Sequence, residues 1–115
     1  MKTQLRKDLM DTRITSLVGN NIYFLHKPED KMCDLYIEYE IIRKEYDDYC
    51  ANNNLSESYL IQVDIFSKGN YANLEKTIEE VLKEKDYRFV QSADQYEEET
   101  KLYHKAMRFN YKKLI

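Results

Sequence analysis

The sequence predicts an α+β fold: an antiparallel sheet of about four to five strands with two main helices packed on one face. Three observations carry that prediction. Residues 35–41 and 59–65 both alternate apolar and polar side chains, the period of a half-buried strand. Residues 71–85 repeat apolar side chains at helical spacing, and a second pair of strand-like stretches closes the chain around an acidic turn. With 115 residues, only two glycines and one proline, the chain has room for one domain, 1–115, and shows no linker.

The elements follow in order. Residues 2–10 are rich in helix formers and place Leu5 and Leu9 one turn apart. Asp11 or Thr12 can cap a second short turn carrying Ile14, Leu17 and Val18, which Gly19 ends. Residues 22–25 form a short apolar strand, and 26–33, with Pro28, a loop. A long hairpin spans 34–67, with Asn52, Asn53 and Asn54 as its turn signal. Its first strand puts Leu35, Ile37, Tyr39 and Ile41 on one face and Tyr36, Glu38 and Glu40 on the other. Its second strand sets Tyr59, Ile61, Val63 and Ile65 against Leu60, Gln62 and Asp64. The distal part, 44–56, is too polar to lie over a core, so it is expected to project as an arm with Tyr46, Tyr49 and Leu55 as its apolar content.

Asn70 can cap the helix 71–85, whose Leu74, Ile78, Val81 and Leu82 make one stripe. Acidic Glu75, Glu79 and Glu80 precede Lys83 and Lys85, in keeping with the helix dipole. The C-terminal hairpin, 87–111, turns at Glu97, Glu98, Glu99 and Thr100, and Tyr103, Met107, Phe109 and Tyr111 share a face of its last strand. The helices then cover one face of the sheet, while Glu38, Glu40, Gln62 and Asp64 leave the other wet or against a partner.

Composition argues against several kinds of chemistry. The net charge of −3, with basic residues interspersed among acids, offers no footprint for nucleic-acid phosphates. The longest uncharged stretch, 14–26, is too short to span a bilayer, and charged residues interrupt the N-terminus before any signal-like apolar run. Cys33 and Cys50 lack metal-site or secreted-scaffold spacing and read as free thiols in a reducing cytoplasm. His26, Cys33, Cys50 and His104 show no zinc spacing, and His104 reads as a hydrogen-bonding structural residue. A magnesium-dependent nuclease site can be drawn from Asp64, Glu38 and Glu40. Alternation alone places these acids toward solvent, however, and the triplet at Asp64-Ile65-Phe66 lacks the lysine such nucleases need. There is no nucleophile elbow and no glycine-rich phosphate loop. No cofactor or metal is expected, and a binding protein is the reading that remains. Eleven tyrosines suit both strand margins and interfaces.

The segment from Tyr96 to Phe109 resembles the C-terminal signature of the tail completion proteins of siphophages and prophages of Gram-positive hosts, also called tail terminators or tail-to-head joining proteins. Tyr36 to Glu40, Ile61 to Gly69, Leu74 to Leu82 and Ile14 to Gly19 are similar to family blocks in the same order. The resemblance implies a small α+β virion protein that assembles as a ring, commonly a hexamer. It would sit on the last ring of tail-tube protein, stop tube growth and present a surface to the head-tail connector or head-closure protein. It implies no catalytic residue, synthesis in the bacterial cytoplasm and a final place at the head-tail interface of the virion. Contacts are expected on the arm (Tyr46, Tyr49, Leu55), on the acidic face (Glu38, Glu40, Asp64) and at Glu97, Glu98 and Glu99. That acidic turn can instead line a channel in which like-charge repulsion lets DNA slide. Another neck protein of similar size, the nuclease-like enzyme and a cytosolic adaptor are the alternatives. One departure is Lys101, where family members often carry a glycine that accepts positive φ cheaply; the turn is expected to differ there.

Overall fold

A computed structural model of the chain describes residues 1–48 and 55–114. Helices α1 (Lys2–Leu9) and α2 (Thr12–Val18) lead into β1 (Ile22–Phe24), β2 (Leu35–Asp48), β3 (Leu55–Ser67), α3 (Ala72–Glu84), β4 (Arg88–Glu97) and β5 (Leu102–Leu114). The strands form one sheet in the order β1-β2-β3-β5-β4. The α+β class is as the sequence predicts, with a correction to the sheet. β1 pairs with β2 in parallel, Ile22 beside Ile37 and Phe24 beside Tyr39, while every other pair is antiparallel. Loop 25–34 is long enough to carry the chain back to the start of β2, which the hairpin grammar of adjacent strands does not anticipate.

Local chemistry explains the helix ends. Asp11 caps α2 by accepting the Arg13 amide at 2.9 Å. The hydrogen bond from the Arg13 side chain to that carboxylate, and then the one from its amide, hold the Asp11 pKa down at about 2. Arg13 also reaches Glu84 at 2.7 Å, tying α2 to α3. Gly19 follows with φ 65 and ψ −142, a conformation nearly confined to glycine. At α3, Tyr71 occupies the cap position, and the Asn70 side chain accepts the Ala72 amide at 2.8 Å from one residue further out. The far end closes with paired bonds from Asp86 to the Lys83 carbonyl and from Tyr87 to that of Leu82, with Asp86 at φ 69.

The three helices cover one sheet face. Leu5, Leu9, Ile14, Leu74, Ile78, Val81 and Leu82 meet Ile37, Tyr39, Ile61, Val63, Ile65, Met107 and Phe109 in one buried cluster. The alternation read in β2 and β3 therefore faces the core as predicted. Beneath α1, the buried Asp8 carboxylate accepts from Tyr87 Oη at 2.6 Å and from Gln4 at 3.0 Å. Lys105 lies on the core side of β5 but is held at its margin by Glu75 at 2.9 Å and Asp94 at 3.2 Å. This satisfies a buried ammonium that an apolar neighbourhood would otherwise reject.

The β4–β5 turn resolves the question of Lys101. Its φ is 58, so lysine takes up the left-handed conformation that glycine would favour, and its amide bonds the Glu97 carbonyl at 2.8 Å. A left-handed non-glycine residue costs about 1–2 kcal/mol, partly offset by glycine's greater chain entropy when unfolded. Lys101→Gly is accordingly expected to stabilise the protein by about 0.5–1 kcal/mol in urea unfolding. A loss of stability would show that the lysine side chain supplies a contact that outweighs the backbone cost.

Candidate functional site

The helix-free face of the sheet brings together two of the predicted site residues, Glu38 and Asp64, with Glu40 next along it. β2, β3 and β5 are neighbours, so the even-numbered residues Tyr36, Glu38, Asp64, Phe66 and His104 share this face. His104 lies opposite Phe66 in register and stacks on it, ring centroids 4.2 Å apart and 18° from parallel. Its Nε2 meets Asp64 Oδ1 diagonally at 2.7 Å. Gln62 donates to the same Asp64 oxygen at 2.9 Å and accepts from Arg108 Nε at 3.0 Å. The result is a continuous line, Arg108–Gln62–Asp64–His104, across β5 and β3.

A small second apolar cluster closes one end of this line. Tyr36, Phe66 and Leu102 are buried there, with Tyr23 and Cys33 packed against them. Loop 25–34 folds over that end: the Lys27 amide donates to Glu38 Oε2 at 2.7 Å, and the Lys27 ammonium sits 5.4 Å from the Tyr36 ring centre. Glu38 and Asp64 are therefore buried, 8% and 7% exposed, which goes against the wet one of the two readings of this face. Alternation told which side these acids occupy; the loop and the aromatic neighbours decide that water is largely kept off them.

Electrostatics follow from this packing. Burial raises the Glu38 pKa, opposed in part by the Lys27 amide. Burial by itself would lower the pKa of His104. The hydrogen bond and charge of Asp64, with Glu97 and Glu38 further off, outweigh it and hold the imidazole above its ordinary value. Burial, then Glu38 and Glu97, push the Tyr36 phenol up to about 12. Glu38, Asp64 and Glu97 thus form one acidic surround for His104.

The other predicted residues lie elsewhere. Glu40 stands opposite Gln62, next along the same face. Glu97 ends β4, and Glu98 and Glu99 are exposed in the turn that follows. Tyr46 is exposed on the far extension of the sheet, with the Lys44 ammonium 4.9 Å from its ring centre. Leu55 opens β3 opposite Asp48, and Tyr49 and Cys50 lie outside the described residues. β5 runs beside β3 as far as Leu114 opposite Ser56, so this extension has three strands in its described part. Cys33 is a free thiol 3.9 Å from Tyr23 Oη.

The sequence reading missed the joining roles of Gln62, Arg108 and Lys27. Equal parity along β3 and β5 puts Gln62, Asp64, His104 and Arg108 on one face. Only the β3–β5 pairing, between strands separated by α3, makes them neighbours. Among the described residues, no group of three or more His, Cys, Asp or Glu side chains is arranged to hold a metal ion. Among the described residues, no helix is long and apolar enough to cross a membrane. The carboxylates at the centre of the face are turned to protein donors, an arrangement that orders a surface.

Fold and site together describe an α+β domain with one helix-covered face and one polar, partly closed face. The same architecture occurs in a chain from the virion of a native gene transfer agent (GTA) particle, with a TM-score of 0.70 over 96% of this chain and 92% of that one. Sequence identity is 12%, so the likeness is one of fold. No protein-family model matches the sequence, and no curated protein matches it.

Proposed function

We propose that this protein is a virion structural component that completes a phage tail. In this reading it assembles as a ring on the last ring of tail-tube protein, ends tube growth, and offers its other side to the head-tail connector or head-closure protein. The observation that carries the reading is the fold shared along nearly the whole length of both chains with a component of a virion. The resemblance of residues 36–40, 61–69 and 96–109 to tail completion proteins supports it and narrows it. These segments lie side by side in the structure, where β2, β3 and β5 build both the core face and the His104 face.

The mechanism needs complementary surfaces and no bond-breaking chemistry. A ring uses one heterologous contact repeated until it closes. The exposed Tyr46 extension and the helix-free side of the sheet, where Glu40 lies next to the buried Glu38 and Asp64, are the surfaces proposed for tube and neck. Exposed Glu98 and Glu99, facing a DNA channel, would repel its phosphates and let it pass. The protein would act at the head-tail interface after synthesis in the host cytoplasm. Mixing it with polymerising tail-tube protein is expected to yield capped tubes of limited length in electron micrographs. Tubes that grow without limit and carry no cap would sink the proposal, as would normally joined particles from phage lacking the gene.

A further inference from the structure

The strand β4 forms one outer edge of the sheet over ten residues; the other edge is made by three-residue β1 and by β2 where it runs on past β1, from Glu40 to Asp48. All residues of β4 but Glu97 are exposed, and Phe89, Val90 and Tyr96 are large apolar or aromatic side chains at the surface. An edge of this length, with a free row of backbone donors and acceptors, is a template for another strand. We propose that β4 pairs antiparallel with β4 of a second copy of this chain, about a two-fold axis at Ala93.

The register follows from side-chain direction. Pairing with β5 puts Phe89, Ser92, Asp94 and Tyr96 on the helix side, opposite Phe109, Met107, Lys105 and Tyr103. It puts Arg88, Gln91, Ala93, Gln95 and Glu97 on the other side, and Val90 is the extra residue of a bulge between Phe89 and Gln91. Residues directly opposite in a sheet point to the same face, so a symmetric pair must place some residue opposite its own copy. Three centres use most of the strand. Centring on Asp94 sets two carboxylates against each other. Centring on Ser92 brings Phe89 to Asp94 and Arg88 to Gln95.

Centring on Ala93 brings Ser92 to Asp94 and Gln91 to Gln95. With Val90 taken up by the bulge, Phe89 then meets Tyr96 and Arg88 meets Glu97. Both of these pairs occur twice by symmetry and each lies on a single face. Aromatic and opposite-charge cross-strand pairs favour association, and like charges directly opposite oppose it. The bulge, often a guard against edge pairing, is here what keeps Phe89 and Arg88 on the faces of their partners. This contact belongs to the free protein and does not rest on the tail-completion reading, which the tube-capping experiment tests separately.

Sedimentation of the full chain tests the pairing. The wild type is expected to form dimers. Arg88→Glu and Glu97→Arg should each weaken dimerisation at least several-fold, and the double exchange Arg88→Glu/Glu97→Arg should restore it. Unfolding curves of the variants distinguish a lost contact from a lost fold. In a Cys33→Ser/Cys50→Ser background, Ala93→Cys should form an intermolecular disulfide on oxidation. Gln95→Cys should not, because its two copies would lie about 13 Å apart along the strands, beyond disulfide reach. A wild type monomeric at all concentrations overturns the proposal. So does a dimer indifferent to the charge variants, or one that links through residue 95 and not 93.

Discussion

Asp64→Ala is expected to destabilise the protein by about 2–3 kcal/mol, because it strips His104 and Gln62 of a shared acceptor in a largely enclosed site. The Asp64 and His104 side chains are 10% and 15% exposed, so solvent screening takes little from the interaction. Neither neighbour can recover its bond elsewhere without leaving its place, since His104 is held flat on Phe66 and Gln62 is tied to Arg108. A double-mutant cycle with His104→Gln should give a coupling energy of about 1 kcal/mol or more. Strict additivity would mean that the 2.7 Å contact contributes nothing.

The same pair sets a pH dependence. The folded-state pKa of His104 lies above its ordinary value of 6.5, so the folded protein binds the proton more tightly than the unfolded chain does. Its contribution to stability is complete below about pH 6.5 and is lost as pH rises through the raised folded value. Wild type measured from pH 6 to pH 9 should therefore lose stability relative to His104→Gln. Parallel profiles for the two proteins would contradict the assignment of a protonated His104 on Asp64.

Phe109→Ala is expected to cost more, about 3–5 kcal/mol, the range for removing a fully buried aromatic side chain. Phe109 is 1% exposed, stands between Ile61 and Phe89 in the sheet and belongs to the cluster beneath the helices. Against a total stability of about 5–15 kcal/mol, such a loss leaves a fraction of the chain unfolded at ordinary temperature. Its neighbour provides the control. Phe89 touches it, with ring centroids 5.8 Å apart, yet is 43% exposed at the sheet edge, so Phe89→Ala should cost under about 1.5 kcal/mol. Urea midpoints with unchanged slopes would report both values. Both values refer to the monomer, at concentrations below those at which β4 strands pair; equal losses there would mean that Phe89 is as well covered as Phe109 within the single chain.

These two sites differ in how far they could be read in advance. Phe109 announces itself: it shares parity with Tyr103, Met107 and Tyr111, and one face of a strand must bury such a set. His104 does not. Its parity places it away from the core, and nothing local says that Phe66 lies opposite it or that Asp64 lies within reach, because 34 residues, with a whole helix and a strand among them, separate β3 from β5. The same limit applies to β1. Its apolar residues mark a strand, but whether it runs with or against β2 depends on where loop 25–34 returns.

Lys101 is an instructive middle case. The resemblance implies glycine at this position, and lysine there predicts a different turn. The backbone keeps the left-handed conformation because the β4–β5 pairing on both sides of the turn is strong enough to impose it on lysine.

What the sequence by itself determined is the set of elements, the core-facing stripe of each, and for α2 a cap at Asp11 or Thr12 and an end at Gly19. All of these depend on residues within a few turns or strand repeats of one another, where periodicity and backbone preference act directly. Only the tertiary structure decided the parallel entry of β1, the burial of Glu38 and Asp64, the Arg108–Gln62–Asp64–His104 line and the exposed β4 edge. Each arises from which strands become neighbours, a choice made by burying the whole helix-covered face at once and invisible in any one segment.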